Sequence, residues 1–292
     1  SGDFEGWARS ELLGTTWKSI KASKGKVSTG FEAFCIHTGP GTQVLMSFTW
    51  DKGDLKVAKE DSQAGAEPQG DATLDGAKYD IVNESGQYAL VDGKYYANGE
   101  VVKTITGHWD GDAGAFVAKT SASALPCGTY TVVESQAPEG YLVSDWSAKA
   151  EIKSDGQMVD LTGNPCGDDV IRGGVQVTKS DVELRASEAL GGNSHDALET
   201  GSTLSGIEFT IANASEHVGD KWFEPGDVIE TIVTSWNDEA GAYTAQTAAD
   251  ELPYGTYTIQ ETKANDSYLL TDGEPKTFQV RENGSIVKAT SA

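Results

Sequence analysis

The sequence predicts an all-β fold, and three observations support this prediction. Glycine is abundant, with 34 residues against 8 prolines and 2 methionines. It accompanies many Thr, Val and Tyr residues, a composition typical of short strands joined by tight turns. Segments of strand character recur at short spacing with turn residues between them. Long helical periodicity is nearly absent, and only residues 180–191 leave room for a turn or two of helix.

Length and charge narrow the class of protein. The 292 residues correspond to roughly two domains of about 150 residues each. A net charge of −23 argues against nucleic acid or an anionic membrane as a partner, because phosphate binding needs clustered Lys and Arg. The hydrophobic fraction of 38% is too high for a disordered acidic tail and is sufficient for a buried core.

An internal repeat defines the domain organisation. Residues 101–120 recur as 228–247, and residues 125–143 recur as 252–270, both with an offset of 127 residues. Each copy contains about seven segments of strand character, which is the number and spacing of an immunoglobulin-like sandwich. The sequence therefore predicts two tandem immunoglobulin-like β-sandwiches.

The repeat also sets the expected boundaries. The first sandwich is predicted at 53–167 and the second at 173–292, with a short Gly/Asp-rich junction between them. Residues 1–52 match neither copy. Because they contain three tryptophans and a cysteine, we expect this N-terminal segment to pack, as part of a preceding domain.

Charged residues fall on the apolar face of two predicted strands in each copy. Lys59 and Lys179 alternate with apolar residues in DLKVAK and GVQVTK, and Glu134 and Glu261 do so in YTVVE and YTIQE. Each domain is thus expected to point one Lys and one Glu inward. Buried charges must be paired, neutralised or used chemically. The alternatives are strand ends that reach water, or a buried ion pair without chemistry.

Two motifs resemble a known family. GDLKVAKED at 53–61 resembles the first strand, with its reactive lysine, of the CnaB domains of Gram-positive surface proteins. YTVVESQAPEGY at 130–141 is similar to the E-box of that family, and the second copy, YTIQETKANDSY, keeps the Tyr and Glu but not the APxG turn. The resemblance covers about four-fifths of the chain and implies two CnaB-type sandwiches.

The resemblance also implies an intramolecular Lys–Asn or Lys–Asp isopeptide bond. Carried onto this sequence, it makes Lys59 the nucleophile, Glu134 the catalytic acid/base and Asn164 the acyl donor, with Asp160 as the fallback. Burial favours the uncharged forms of an amine and a carboxylic acid. A protonated glutamic acid can then polarise the carboxamide and shuttle protons while ammonia leaves. Asn164 needs a bulge or a strand end to face inward.

The second copy departs from this pattern. Lys179 and the catalytic counterpart Glu261 are in place, but Ala292 aligns with Asn164. The acceptor for Lys179 is therefore missing from this sequence, and we expect no isopeptide bond in the second copy.

The three cysteines leave their pairing open, and we expect no metal site. A thioester between Cys35 and Gln43 is disfavoured because their spacing is short. Cys127 and Cys166 are expected at strand positions about 23 Å apart. A Cys35–Cys127 disulfide is the favoured pairing. The sequence shows neither a metal-ligand spacing nor a phosphate loop, so no cofactor, metal or turnover enzyme is predicted.

The leading functional hypothesis is a structural stalk or backbone region of a bacterial cell-surface adhesin or pilin, extracellular and anchored to the cell wall. Its partners would be other pilin subunits, joined by sortase, and a host or other extracellular ligand. The alternative is a ligand-binding adhesin module with its site in residues 1–52 or in the 183–203 insertion. No apolar run is long enough to insert in a membrane, and we expect the leader and the anchor signal to lie outside this sequence.

Overall fold

The computed structural model describes a chain whose regular structure is all β, as the sequence predicts. The described residues comprise the N-terminal strands below, 51–181, and 203–290 without 217, 219–221, 267, 271 and 272. They form 24 strands and no helix. Among these residues there is accordingly no helix that could span a membrane.

The N-terminal segment contains two antiparallel strand pairs. The first joins β1 (Phe4–Ser10) to β2 (Thr15–Ala22), and the second joins β3 (Cys35–Gly39) to β4 (Thr42–Met46). The described residues of this segment therefore form regular secondary structure, and its packing as part of a preceding domain stays a prediction.

The first repeat folds as a β-sandwich. Its strands are β5 (Lys52–Asp61), β6 (Lys78–Asn83), β7 (Ala89–Val91), β8 (Lys94–Tyr96), β9 (Val101–Asp110), β10 (Ala115–Lys119), β11 (Leu125–Pro126), β12 (Gly128–Gln136), β13 (Ser147–Ile152), β14 (Met158–Asp160) and β15 (Cys166–Asp168). Nine of them are hydrogen-bonded in the order β11-β5-β10-β9-β6-β12-β13, with β14 and β15 beside β5, and β7 and β8 form a separate antiparallel pair.

One long strand connects the two layers of this sandwich. Strand β9 pairs with β6 through residues 101–106 and with β10 through 107–110. The layers enclose a core in which apolar side chains alternate along each strand, as Leu55 and Val57 do in β5 and Tyr130 and Val132 do in β12. The last strands of the repeat lie beside its first strand, and β14 pairs with β5 in parallel.

The second repeat has the same arrangement of strands, except that one strand is interrupted. Its strands are β16 (Arg172–Lys179), β17 (Glu208–Asn213), β18 (Val228–Val233), β19 (Ser235–Asn237), β20 (Ala242–Gln246), β21 (Leu252–Pro253), β22 (Gly255–Lys263), β23 (Lys276–Val280) and β24 (Ile286–Thr290). They form two sheets, β19-β20-β16-β21 with β24 beside β16, and β18-β17-β22-β23.

The interruption lies in the strand that corresponds to the long strand β9 of the first repeat. Its counterpart is divided into β18 and β19 at Thr234, whose buried hydroxyl donates to the carbonyl of Leu204 and accepts from the amide of Ile207. At the other end of the chain, β24 runs parallel to β16 from Ile286, opposite Gly174. Both repeats are therefore the immunoglobulin-like sandwiches that the sequence predicts.

The compact units of the chain differ from the two repeats. One unit comprises residues 1–59, 75–137 and 143–166, and the other comprises 60–74, 138–142 and 167–292. Two segments that the repeat assigns to the first sandwich thus belong to the compact unit of the second. The longest part of the second unit begins at Gly167, next to the expected junction, so the difference from the repeats lies in these two segments.

A polar cluster holds the segment 60–74 within the second unit. The Asp71 carboxylate accepts from the Arg281 guanidinium at 2.6 Å and from the Thr256 hydroxyl at 2.6 Å. Arg281 also lies over the Tyr254 ring, 4.5 Å from its centre. The Tyr254 hydroxyl in turn donates to Glu139 in the segment 138–142 at 2.8 Å. Both added segments are thereby bound to the second repeat.

The turn that contains Glu139 depends on a glycine. Gly140 has a φ of +90°, and a Cβ there would lie 2.5 Å from the Cβ of Ala72. A larger residue would therefore be strained and would clash with the segment 60–74.

Acid is predicted to weaken the second unit through Asp71. Burial raises the pKa of this carboxyl, but the hydrogen bonds from Thr256 and Arg281 outweigh burial and bring the pKa below its ordinary value. A lowered native pKa stabilises the fold above the unfolded pKa of about 4, and this contribution is lost as pH falls through the native value. In urea unfolding, Asp71→Asn should destabilise the unit at pH 6 more than at pH 3.

The exposed Asp145 supplies the control for this measurement. Asp145→Asn should change the unfolding midpoint little at either pH. An Asp71→Asn variant that loses as much stability at pH 3 as at pH 6 would contradict the role given to the charge.

Candidate functional site

A lysine and a glutamate meet in the core of the first repeat. The amine nitrogen Nζ of Lys59, on β5, lies 3.4 Å from Oε1 of Glu134, on β12, and both side chains are 0% exposed. The prediction from strand alternation that these two charges point inward is confirmed. The alternative that they sit at strand ends and reach water is wrong for this repeat.

The glutamate is held in a fixed orientation. Its other oxygen, Oε2, accepts a hydrogen bond from the backbone amide of Ser144 at 3.0 Å and another from the Ser144 hydroxyl at 3.1 Å. Two donors on one oxygen fix the carboxyl plane, so Oε1 is the atom presented to Lys59.

The lysine also contacts the last strand of the repeat. Nζ donates to the backbone carbonyl of Cys166 at 3.1 Å and lies 3.6 Å from the Cys166 sulfur. Cys166 is the first residue of β15, which is paired with β5. The amine is therefore placed against the strand that ends the first sandwich, in a site lined by the apolar core.

The structure does not support Asn164 as the acyl donor. Asn164 is exposed and lies in a turn, where its amide donates to the carbonyl of Leu161 and its own carbonyl accepts from the Trp146 indole. The bulge or strand end that would have to turn the Asn164 side chain toward the core therefore does not do so.

The structure does not support the fallback Asp160 as an acceptor either. It is half exposed and forms a surface ion pair with Lys56 at 2.9 Å. Hydrogen bonds from Thr162 and then from Lys56 lower the pKa of its carboxyl to about 2. Asp160 is thus an ionised surface group and lies outside the buried site.

The residue that sequence reasoning missed is Asp168. It lies two residues after Cys166 in β15, and alternate residues of a strand share a face. Its side chain is fully buried, as is that of Cys166, while Gly167 between them is only partly buried. The sequence pattern instead assigns Asp168 to the Gly/Asp-rich junction between the sandwiches. The signal that could have identified it is the alternation of Cys166, Asp168 and Val170.

The second repeat contains a corresponding ion pair. Nζ of Lys179 lies 2.8 Å from Oε2 of Glu261, with the side chains 7% and 8% exposed. The inward placement predicted for both residues is confirmed. By the repeat offset, the position that matches Asp168 would follow Ala292, and Ala292 itself lies outside the described residues.

A second acidic group recurs next to each lysine. Asp61, two residues after Lys59, is buried and accepts from the hydroxyl of Tyr141 at 2.8 Å and from Gln69 at 2.9 Å. Burial, followed by the charge of Asp61, raises the pKa of the Tyr141 phenol. In the second repeat, Tyr268 donates to Asp181 at 3.0 Å. The repeated Lys-x-Asp spacing was the available sequence signal for these pairs.

The predicted Cys35–Cys127 disulfide is not formed, because Cys127 is a free thiol, as is Cys166. Cys127 is half-buried against the core, and burial, with Asp51 and Asp155, raises the pKa of its thiol. Cys35 lies in β3, where only the backbone is described. Most of the 183–203 insertion, the alternative binding site, also lies outside the described residues.

Metal binding is not favoured at the buried pair. Glu134, Cys166 and Asp168 offer two carboxylates and a thiol within 4.8 Å of one another, and these are ligand types for metal ions. The amine of Lys59 lies 3.4 Å from the Glu134 carboxylate and 3.6 Å from the Cys166 sulfur, in the place where a cation would bind. This arrangement suits chemistry of the lysine itself.

Comparison with known proteins identifies the family. The SpaA prealbumin-like fold domain matches residues 53–165 and 195–292, which is more than half of the chain. The chain belongs to this family. The resemblance drawn from the two motifs is therefore confirmed at the level of the fold. No curated protein matches the sequence.

Solved structures similar to this chain include pilins. The Bacillus anthracis TIE protein is 22% identical, with a TM-score of 0.50 over 99% of this chain and 48% of its own. This chain thus spans about half the length of that structure. A streptococcal ancillary pilin is 16% identical, with a TM-score of 0.31 over 100% of this chain and 76% of its own. The major pilin subunit BcpA of Bacillus cereus (D312A) is 12% identical, with a TM-score of 0.27 over 82% and 99%.

Substitutions in the second repeat should show the cost of a buried, unpaired charge. Lys179→Met leaves Glu261 buried without its cation, and we expect the free energy of unfolding to fall by about 3 kcal/mol. The double variant Lys179→Met/Glu261→Leu should recover most of this loss, because neither charge remains. Chemical unfolding of the three proteins measures the difference.

The exposed pair Lys263–Glu208, 2.6 Å apart in the same repeat, is the matched control. Lys263→Met should change the stability little, since exposed ion pairs contribute little. A double variant at 179 and 261 that is no more stable than Lys179→Met would contradict this account of the pair.

Proposed function

We propose that the chain is a structural module of a bacterial cell-surface pilin or adhesin, and that an autocatalytic isopeptide bond between Lys59 and Asp168 stabilises its first repeat. Membership of the SpaA prealbumin-like family supports the surface role, because similar structures are described as pilins. The observation that carries the bond is the buried Lys59 amine, 3.4 Å from Glu134 and 3.1 Å from the backbone of β15.

Asp168 is the acceptor in this proposal because of its position in β15. The Lys59 amine contacts both the carbonyl and the sulfur of Cys166, the residue that shares a strand face with Asp168. A carboxylate oxygen of Asp168 lies within 4.8 Å of the Cys166 sulfur and of a Glu134 carboxylate oxygen, the two groups beside the Lys59 amine. Its carboxyl group is buried, whereas the Asn164 side chain is exposed.

The reaction is a condensation that occurs once per chain. Lys59 nitrogen attacks the Asp168 carboxyl carbon, a C–N bond forms, and one carboxyl oxygen leaves as water. Starting from an ammonium and a carboxylate, one proton stays on the new amide nitrogen and two leave with the oxygen. Glu134 accepts a proton from the lysine and delivers it to the leaving oxygen, as a general base and then a general acid. The chain is therefore not a turnover enzyme.

The bond would protect the sandwich against force. It joins the first strand β5 to the last strand β15 and closes a span of roughly 110 residues, worth about 4–5 kcal/mol by analogy with disulfide closure. Resistance to forced unfolding follows the unfolding rate, and a covalent tie between these strands blocks their separation. This suits an extracellular, cell-wall-anchored stalk that is joined to other pilin subunits by sortase.

Intact mass spectrometry tests the bond. The mass of the full chain should be lower than its formula mass by one water, whereas a Lys59–Asn164 bond would remove one ammonia. Glu134→Ala and Asp168→Ala should each restore the full formula mass. Proteolysis followed by peptide sequencing should recover a branched peptide that contains Lys59 and Asp168.

Asn164→Ala is the matched control, because it removes the exposed amide and leaves the buried groups in place. This variant should still lose one water. A full formula mass for the unmodified sequence would refute the self-crosslinking proposal, and a loss of ammonia that Asn164→Ala abolishes would refute Asp168 as the acceptor.

A further inference from the structure

We propose that Cys166 and Ser144 form a proton relay between Lys59 and Glu134, so that crosslinking of the first repeat depends on the thiol of Cys166. This inference rests on the proposed self-crosslinking function and adds two positioning residues to it. Neither residue is explained by the ion pair alone. Cys166 is fully buried, and Ser144 is half-buried in the loop between β12 and β13.

Four side chains form a closed ring of polar contacts. Lys59 Nζ lies 3.6 Å from the Cys166 sulfur, which lies 3.4 Å from the Ser144 hydroxyl oxygen. That hydroxyl lies 3.1 Å from Oε2 of Glu134, and Oε1 of Glu134 lies 3.4 Å from Lys59 Nζ. The lysine and the glutamate are thus connected twice, once directly and once through a thiol and a hydroxyl.

The second connection has the chemistry of a relay. A thiol and a hydroxyl can each donate one proton and accept another. When the Lys59 ammonium gives a proton to the Cys166 sulfur, the thiol proton passes to Ser144, and the Ser144 proton passes to Oε2 of Glu134. The result is one neutral amine and one protonated carboxyl, while Cys166 and Ser144 end unchanged.

Burial makes such a route useful. The side chains of Lys59 and Glu134 are fully buried, so a proton leaving the amine needs a protein group to receive it. The direct contact at 3.4 Å is long for a hydrogen bond, whereas Oε2 is held at 3.0 Å and 3.1 Å by Ser144. The relay therefore delivers the proton to the better-positioned oxygen of Glu134.

The rate of bond formation tests the relay. The full chain is made by cell-free synthesis, quenched in denaturant at successive times, and the fraction that has lost one water is read by intact mass. Cys166→Ala and Ser144→Ala should each slow bond formation roughly tenfold, below the hundredfold or more of a general acid–base group. Cys166→Ser keeps a donor and an acceptor and should remain within about threefold of the unmodified sequence.

Two substitutions serve as matched controls. Cys127→Ala removes the other free thiol, and Ser135→Ala removes a hydroxyl that bonds to the Lys78 carbonyl beside Glu134. Both should form the bond at the normal rate. Thermal unfolding separates rate from packing, because a buried serine should stabilise the core no better than alanine does.

Each outcome supports or overturns the inference. Slow bond formation in Cys166→Ala that serine restores supports the relay. Normal rates in Cys166→Ala and Ser144→Ala, or a serine variant as slow as alanine, overturn the relay while the crosslink itself stands. A full formula mass in the unmodified sequence overturns the proposed function, and the relay with it. If Cys166→Ala fails to fold, the Cys166→Ser and Ser144→Ala variants still decide the result.

Discussion

The burial of the Lys59 side chain constrains which groups the first repeat must place around it. Lys59 follows the buried apolar residues Leu55 and Val57 on its strand, and a charge placed there is costly unless protein groups compensate it. Three parts of the chain supply that compensation: Glu134 from β12, the carbonyl of Cys166 from β15, and the serine that orients Glu134. The strands that close the sandwich are thus the same strands that build the site.

Much of this could be predicted from the sequence, because the relevant information is periodic. Alternation along a strand places Lys59 and Glu134 on the core side, and the internal repeat places Lys179 and Glu261 in the same way. The number of sandwiches follows from the same patterns, but the described residues form eleven strands in the first repeat and nine in the second, against about seven expected in each. None of these conclusions requires knowledge of which strands are neighbours.

The acceptor could not be found in this way, since it depends on where a turn ends and the next short strand begins. Asn164 and Asp168 both share strand parity with Cys166, and only the turn at 161–165 leaves one exposed and the other buried. The second copy offers no aligned residue to decide between them. The predicted disulfide between Cys35 and Cys127 is wrong for a related reason. The spacing of cysteines along a chain does not determine which of their side chains meet.

The segments 60–74 and 138–142 affect where the chain can be cut into separate fragments. The sequence duplication suggests a cut near residue 170, yet Tyr254 and Arg281 use Glu139 and Asp71 as partners. A fragment starting at Gly173 would leave the phenol without its acceptor and the guanidinium without its carboxylate. The sequence repeat and the compact unit therefore have different borders, and dissection of the chain should follow the compact unit.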